Sequence, residues 1–421
     1  MRPFIAVLLT IVATSSSASA QRLKRFPAED VIGCELIAAA EQQIAAFHDD
    51  AEPADNRIRL VYFYPADREP LPGWKERMQR TMADIRDFYR DGLARFGVKS
   101  DGLPFEMEGD RFKFHLVKGA KPAAAYNHEA GNEIAAELRP ALDGVIDFSA
   151  EHVLVMHGLC DEEGDGRFVF YAPYYGWGNQ KNGLCHAADC RLLDPALLTH
   201  TKQKIVYTEH YYPRMDQSVA LFNTWYLGGT AHELGHGIGL PHNNGTPEEK
   251  TWLATSLMGR GNHHYRSERW GGTRPSFLSR SCALLLVSNP LITGSNKDRL
   301  TKPEADFGSI DLSFDEGKLS VSGEVTCSIP AYAVIAYVWP YQSYPDKPGT
   351  DHGASTVPTI VHDEKFKLAG FSLPKGEYHF KLSAIHLNGA ASDEHFHLSV
   401  DDGGTPDIER FKKDYPAATA R

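Results

Sequence analysis

The 421-residue sequence lacks any run of about twenty apolar residues, the length that a helix needs to span a bilayer. The apolar stretch Phe4–Val12 is too short for a span, but Arg2 precedes it and the small residues Ala18–Ala20 follow it. This order is typical of a cleaved signal peptide. We therefore expect residues 1–20 to be removed and the mature chain to be secreted, either to the extracellular space or to the periplasm.

The sequence has fewer basic than acidic residues, with 44 Lys and Arg against 55 Asp and Glu and a formal net charge of -11. The sequence has no run of basic residues. Nucleic acids and anionic membranes are therefore excluded as expected partners, because both are bound through clustered basic side chains.

Cysteine is scarce, with six in the whole chain. The number is even and export would place the chain where disulfide bonds persist. We therefore expect disulfide bonds, although six cysteines allow fifteen pairings and the sequence does not choose among them. The cysteines are Cys34, Cys160, Cys185, Cys190, Cys282 and Cys327.

The segment from His232 to His242 has the spacing H-E-x-x-H-x-x-G-x-x-H. His232 and His236 are four residues apart, so on an α-helix both imidazoles lie on one face. Gly239 can adopt a positive φ, which ends the helix and turns the chain back. His242 can then approach the same point as a third ligand.

Three neutral imidazoles suit Zn²⁺, with Zn–N distances of about 2.0–2.1 Å and a fourth position left for water. An open position is the mark of a catalytic zinc site, and Glu233 stands beside it without being needed as a ligand. The sequence therefore predicts one catalytic zinc ion. A buried helix with two core histidines is the alternative, but it leaves Glu233 and Gly239 unexplained.

The run HELGHGIGLPH resembles the extended zinc-binding motif of the metzincin metalloproteases, and Ser256–Gly259 resembles their methionine turn, with Met258 beneath the metal. The resemblance implies hydrolysis of peptide bonds, with zinc polarising the scissile carbonyl and Glu233 acting as general base. Asn243 and the residues after Met258 match no subfamily, and Tyr265 is a candidate for contact with substrate.

The resemblance also implies a fold. Alternating and apolar runs predict strands and helices in the order of a metzincin domain, preceded by a helical segment at 21–57 and covering residues 58–295. The strand containing Arg167, Phe168, Val169 and Phe170 is our candidate for the cleft edge that pairs with substrate, and an internal strand is the alternative. Residues 173–217 have no clear period and are expected to be irregular.

Beyond a polar linker the apolar period changes to two, which predicts a small all-β sandwich of immunoglobulin or fibronectin type at 307–402 and a flexible tail at 403–421. The predicted fold class is thus α+β, a metzincin-like domain followed by this sandwich. The sandwich is expected to be a spacer, with contact to substrate, a glycan or a cell surface as the alternative.

The sequence as a whole predicts a secreted zinc-dependent endopeptidase acting on protein or peptide substrates. One alternative is a metalloprotease-like binding or adhesion protein that acts through its C-terminal sandwich, and another is a zinc hydrolase of a non-peptide amide or ester. The acidic run at 161–166 leaves two interpretations, a Ca²⁺ site and a solvated turn, since it lacks the alternating acids of an EF-hand.

Overall fold

The structure is a computed structural model that describes residues 30–211, 213–253, 255–344, 347–348 and 351–414. The predicted signal peptide and the last seven residues of the predicted tail lie outside these ranges. Among the described residues, no helix combines the length and the apolar character that a membrane crossing requires. Secretion stays a prediction.

Several helices begin at a residue whose side chain caps the first turn. Asp30, for example, accepts a hydrogen bond from Gly33 N at 3.0 Å. The helices are α1 (Val31–Phe47), α2 (Trp74–Ala94), α3 (Gly131–Ala141), α4 (Val219–Gly237), α5 (Pro247–Trp252), α6 (Arg280–Val287), α7 (Pro290–Thr293) and α8 (Ile408–Asp414).

The strands fall into two regions of the chain, one before α4 and one after α7. In the first region they are β1 (Ile58–Tyr64), β2 (Met107–Glu108), β3 (Arg111–Phe112), β4 (Phe114–Lys118), β5 (His152–His157), β6 (Cys160–Glu162), β7 (Phe168–Phe170), β8 (Tyr175–Gly178), β9 (Gly183–Ala188), β10 (Lys204–Thr208) and β11 (Met215–Ser218). In the second they are β12 (Ala305–Asp315), β13 (Lys318–Cys327), β14 (Ala331–Pro340), β15 (Gln342–Tyr344), β16 (Lys347–Pro348), β17 (Ser355–Ile360), β18 (Lys365–Phe371), β19 (Gly376–His386) and β20 (Ala391–Val400).

The main sheet has the strand order β4-β1-β5-β9-β8. Strands β4, β1, β5 and β9 run parallel, while β8 pairs antiparallel with β9 and forms an edge. Parallel strands covered on both faces read as continuous apolar runs, and all six residues of β5 are buried. The apolar runs at 58–64 and 152–157 thus form two neighbouring parallel strands of this sheet.

Of the two interpretations of the strand at 167–170, the internal strand is confirmed and the cleft edge is not. Strand β7 lies inside a second sheet of order β11-β10-β7-β6, parallel to β10 and antiparallel to β6. The antiparallel edge of the main sheet is β8 instead. Alternation along a strand shows which face is buried, but it does not show which strands lie alongside, so the sequence left both interpretations open.

The prediction of an irregular segment at 173–217 is wrong, because β8, β9 and β10 fall within it and β11 begins in it. Glycines hide the first two strands from a search for apolar alternation. They are there because α4 packs directly on the sheet: a Cβ atom on Gly183 would lie 1.8 Å from the carbonyl oxygen of Gly237, and one on Gly176 would lie 2.1 Å from that of Glu233.

The second region has a three-stranded sheet, β12-β13-β18, and a four-stranded sheet, β17-β14-β19-β20. Apolar side chains of both sheets form a shared core, to which β14 contributes Val334, Ala336 and Val338. Strands with alternating side chains are therefore present where the sequence predicts them.

An independent sandwich is nevertheless the wrong description of this region. The opposite face of β14, with Ala333, Ile335 and Tyr337, belongs to the core of the first region, and β14 packs on α1. The Tyr332 hydroxyl lies 3.0 Å from the Oγ atom of Ser288, the residue that directly follows α6. The two regions thus share one continuous core, and the predicted fold class is corrected on this point. The boundaries at 58–295 and 307–402 stay predictions.

None of the six cysteines, all of which lie within the described residues, takes part in a disulfide bond. Four are buried, and the other two are partly buried. Buried cysteine packs as a small apolar residue, which accounts for these positions without cross-links. The predicted disulfide bonds are therefore wrong.

The acidic run at 161–166 follows β6 into a turn. Its carboxylates face arginines: Asp161 pairs with Arg68, and Glu162 pairs with Arg191. Oxygen atoms engaged by guanidinium groups are poor ligands for a cation, so this arrangement favours the acidic turn over the Ca²⁺ site.

Candidate active site

Helix α4 carries the first half of the H-E-x-x-H run and is fixed at both ends. The Ser218 side chain caps its start by accepting a hydrogen bond from Leu221 N at 3.2 Å. The helix ends just before Gly239, which has a φ of 92°, a left-handed conformation that a side chain would strain. The chain then reverses and returns His242 to the helix. The turn predicted at Gly239 is present.

The three histidines converge. The Nε2 atom of His236 lies 3.1 Å from that of His232 and 3.0 Å from that of His242. No spacing rule guarantees this for His242, because it depends on the path of the chain after Gly239. The structure brings the predicted ligand set together.

The other ring nitrogen of each histidine, Nδ1, has its own oxygen acceptor. Carbonyl and ionised carboxylate oxygens only accept hydrogen bonds, so each Nδ1 carries the proton and each Nε2 presents a lone pair. The pairs are His232 with the Leu257 carbonyl (2.6 Å), His236 with the Leu240 carbonyl (2.8 Å), and His242 with Asp351 Oδ1 (2.8 Å).

Three lone pairs that meet at about 3 Å repel one another unless a cation lies between them. Neutral imidazole nitrogen is a preferred ligand of zinc-class ions, which bind it at about 2.0–2.1 Å. Burial lowers the pKa of His232 well below its usual value and that of His236 to about 4, which keeps both rings neutral. The donor set therefore fits a divalent ion of the zinc class.

Glu233 lies beside the imidazoles and faces the same cleft. Its Oε2 accepts a hydrogen bond from the backbone N–H of Gly176 in the edge strand β8, at 2.9 Å. Desolvation raises the pKa of the Glu233 carboxyl to about 8. This contact holds the carboxyl group between α4 and the edge strand β8.

Met258 is fully buried beneath α4, where a Cβ atom on Gly235 would come within 2.4 Å of its sulfur. Its carbonyl accepts from Asn243 N at 3.0 Å, and the preceding residue, Leu257, holds His232. The turn at 256–259 therefore contacts both His232 and Asn243, the residue that follows His242.

The predicted substrate contacts outside the motif are wrong. Tyr265 is fully buried, and its hydroxyl donates to Asp84 Oδ2 at 2.7 Å. In β7, Phe168 and Phe170 are buried and Arg167 contacts Thr208 at 3.1 Å. None of these residues, nor Val169, is among those that line the cleft. The residues of the strand at 167–170 were candidates because that strand was interpreted as a cleft edge, whereas Tyr265 was a candidate because it follows the methionine turn.

The cleft has a volume of about 640 Å³ and is walled by aromatic and histidine side chains. One lining ring, His128, stacks on His210 behind it with a centroid distance of 4.5 Å. Two other lining rings, those of Trp225 and His263, stack on each other at 4.5 Å. Further lining residues are Tyr174, Tyr175, Tyr207, Glu209, Tyr211, Tyr226, Asn262 and His352. Burial raises the pKa of Glu209 to about 7.

Sequence reasoning found few of these wall residues. His263 follows the methionine turn closely enough to be suspected, and Tyr175 stands in an aromatic run. His128, Glu209 and His352 have no local pattern that marks them. They come from three separate segments, so only the folded chain places them around one cavity.

No protein-family model matches the chain, and no curated protein matches it. Solved structures do. The chain is similar in fold to OgpA from Akkermansia muciniphila. One OgpA structure, a catalytically inactive form in complex with the O-glycopeptide substrate glycodrosocin, matches with a TM-score of 0.65 and 25% sequence identity over 83% of this chain and 94% of OgpA. Two crystal forms of wild-type OgpA match with the same TM-score at 24% and 25% identity.

This likeness corrects the resemblance to metzincins, which is wrong. It spans both β-regions, so the chain matches one whole OgpA-like α+β fold rather than a metzincin domain with an added sandwich. The motif at 232–242 is short, and a short catalytic motif recurs on unrelated folds.

We expect Gly176→Ala to lower the free energy of unfolding by about 1–3 kcal/mol, the usual cost of overpacking. The new Cβ atom would lie 2.1 Å from the Glu233 carbonyl oxygen, so β8 must move away from α4. Urea unfolding of both proteins measures the difference. Gly164→Ala is the matched control, because a Cβ atom there meets nothing within 4 Å. Equal stability of the two variants would contradict the packing described for β8.

Proposed function

We propose that this chain is a metal-dependent hydrolase that cleaves a peptide bond in O-glycosylated peptides. The observation that carries the proposal is the convergence of three imidazoles on the wall of an open cleft, where the Nε2 atom of His236 lies within 3.1 Å of those of His232 and His242. The likeness to OgpA, which has been crystallised with an O-glycopeptide substrate, supports the substrate class.

His232, His236 and His242 would hold the ion, and zinc is our choice because the donors are three neutral imidazoles. A bound zinc-class ion polarises a carbonyl group as a Lewis acid and lowers the pKa of water. The protein supplies the geometry: two ligands fixed on one helical turn and the third returned by the turn at Gly239.

Glu233 is the proposed general base. A bound cation would oppose the desolvation that raises the pKa of Glu233 and would favour its ionised form. The carboxylate then takes a proton from the attacking water and later passes it to the leaving amine. The Gly176 N–H holds one of its oxygens at 2.9 Å and so restricts its rotation. The other oxygen is then left for the water.

The edge strand β8 is the proposed support for the peptide. Among the residues that the structure describes, no strand pairs with the outer side of β8, and an extended peptide can pair with such an edge by adding a strand. Tyr175 and Gly176 of β8 line the cleft, so a peptide paired there would pass Glu233.

The cleft wall is the proposed site for the sugar. Saccharides present flat C–H faces and ring hydroxyls, which suit aromatic rings flanked by polar groups. The stacked rings of Trp225 and His263 offer an aromatic surface for a C–H face of the sugar. The side chains of His128 and Tyr211, which lie 3.1 Å apart, offer polar groups for its hydroxyls. A few convergent polar groups in an otherwise aromatic cavity are typical of ligand sites.

Two synthetic peptides of one sequence test the proposal, the first with a single O-linked sugar and the second without it. We expect cleavage of the glycosylated peptide alone, measured by mass spectrometry, with loss on addition of a chelator and recovery on addition of Zn²⁺. Cleavage that survives complete removal of metal would contradict the metal site. Equal cleavage of both peptides would contradict the glycan preference, and binding without cleavage would favour the alternative of a binding protein.

A further inference from the structure

The third histidine has an unusual partner. His232 and His236 donate from Nδ1 to backbone carbonyls, whereas His242 donates to the side chain of Asp351, which lies 109 residues further along the chain. Asp351 belongs to the C-terminal β-region, in a short turn just before β17.

We propose that Asp351 is a positioning residue for the metal site, and that the C-terminal β-region thereby completes the active site. This inference rests on the proposed function only in that His242 binds a metal ion. The Asp351 carboxylate accepts a hydrogen bond from the Nδ1–H group of His242. This bond holds His242 in the tautomer whose Nε2 lone pair faces the other two imidazoles.

The charge of Asp351 matters as well as its hydrogen bond. A carboxylate behind an imidazole makes the ring a stronger donor to a metal, and removal of such a partner typically lowers metal affinity by 10–100-fold. With Asp351, every proposed ligand has an acceptor at Nδ1, at 2.6, 2.8 and 2.8 Å. A chance surface ion pair would not complete a set in this way.

The contact is held in place by the backbone around it. Asn244 N donates to the Ala354 carbonyl at 2.7 Å, and Thr356 N donates to the Gly245 carbonyl at 3.1 Å. These bonds join the loop that follows His242 to the segment that follows Asp351. The position of Asp351 is therefore set by main-chain pairing between the two regions.

Side chains also join the two regions near this contact. Lys250 Nζ donates to Ser355 Oγ at 2.6 Å, and the hydroxyls of Ser281 and Thr356 lie 2.9 Å apart. The His352 ring stacks on the His242 ring at a centroid distance of 3.7 Å. His242 is thus confined between its own loop and the turn at 351–353.

The experiment compares the Zn²⁺ affinity of the full chain with that of Asp351→Ala and Asp351→Asn, by competition with a chromophoric chelator. We expect Asp351→Ala to bind zinc 10–100-fold more weakly. Asp351→Asn keeps an acceptor oxygen without the charge, so its affinity for zinc should lie between that of the unaltered protein and that of Asp351→Ala. Absorption of the Co²⁺-substituted proteins provides a second readout, since the d–d bands report the geometry of the ligands.

Asp393→Ala is the matched control, because it breaks a surface contact with Lys381 in the same region, away from the metal. It should leave zinc affinity and the Co²⁺ spectrum unchanged. Metal-free Asp351→Ala should melt at the same temperature as metal-free Asp393→Ala, which separates positioning from a loss of fold.

The outcomes are distinct. Zinc affinity of Asp351→Ala within twofold of the unaltered protein, with an unchanged Co²⁺ spectrum, overturns the inference and leaves the proposed function standing. Weaker binding by Asp351→Ala in a chain that cleaves no glycopeptide supports the inference and overturns the proposed function. An unaltered protein that binds no zinc overturns both.

Discussion

Glu233→Gln should reduce the rate of glycopeptide cleavage by about 10²–10⁴-fold, the contribution of general acid–base catalysis, while the zinc content stays the same. Glutamine has the size and shape of glutamate but cannot accept a proton from water at neutral pH. Its amide oxygen can still accept the Gly176 N–H, so the packing of α4 on β8 is preserved. The three histidines are untouched.

The measurement is kcat/KM on the glycosylated peptide, with metal content determined on the same samples. Glu137→Gln is the control, because Glu137 also accepts a backbone N–H, from Ala120 at 2.8 Å, and does not line the cleft. We expect it to retain full activity. A folded Glu233→Gln protein that keeps both its metal and its rate would remove Glu233 from the mechanism.

The part of the site that the sequence predicts is the part set by local geometry. A spacing of four places His232 and His236 on one helical face, and Gly239 permits the turn that returns His242. These constraints act within eleven residues, so they can be read without the fold. Asp351 and His352 meet the same imidazoles through contacts across more than a hundred residues, for which the sequence has no local signal.

The fold was harder to predict for a related reason. Apolar periodicity located most strands and helices, but it failed at β8, where glycines replace apolar residues so that α4 can approach. Apolar periodicity also does not show which strands pair with one another, which is why the sequence left an edge strand and an internal strand open for β7. In β14 a signal was present: its run of apolar residues on both faces is typical of a strand covered on both sides.

The metzincin resemblance failed because a whole fold was inferred from one short motif. The residues at 232–242 specify a donor set, and a donor set can be supported by many arrangements of strands. Here the support includes a loop from the C-terminal region, which an independent sandwich would not supply. The likeness to OgpA over 83% of the chain fits one fold built from both regions.

The second large effect concerns the scaffold beneath the site. Arg77→Met should lower the free energy of unfolding by about 3–5 kcal/mol, the range for breaking a buried ion pair by removing one partner. Arg77 on α2 donates to both oxygens of Asp189, at 2.6 and 3.2 Å, and the Tyr62 hydroxyl donates to Oδ2 at 2.8 Å. The Asp189 side chain is fully buried and that of Arg77 is 6% exposed.

The size of the effect follows from what remains in the variant. Burial raises the pKa of Asp189, and the attraction of Arg77 opposes that shift. Methionine fills much of the space but leaves a buried carboxylate with no cation. Asp189 directly follows β9, the strand that pairs with β8, so the loss should loosen the sheet that carries Gly176.

Chemical denaturation of the two proteins measures the difference, and Arg90→Met on the same helix is the control. Arg90 pairs with Asp87 and Asp91 at the surface, where an ion pair contributes about 0–1 kcal/mol. Replacing both Arg77 and Asp189 with apolar residues should recover much of the loss, because no charge is then left buried. If Arg77→Met were no less stable than Arg90→Met, the carboxylate of Asp189 would have to be solvated or protonated in the native protein, and α2 would not be anchored to the sheet by charge.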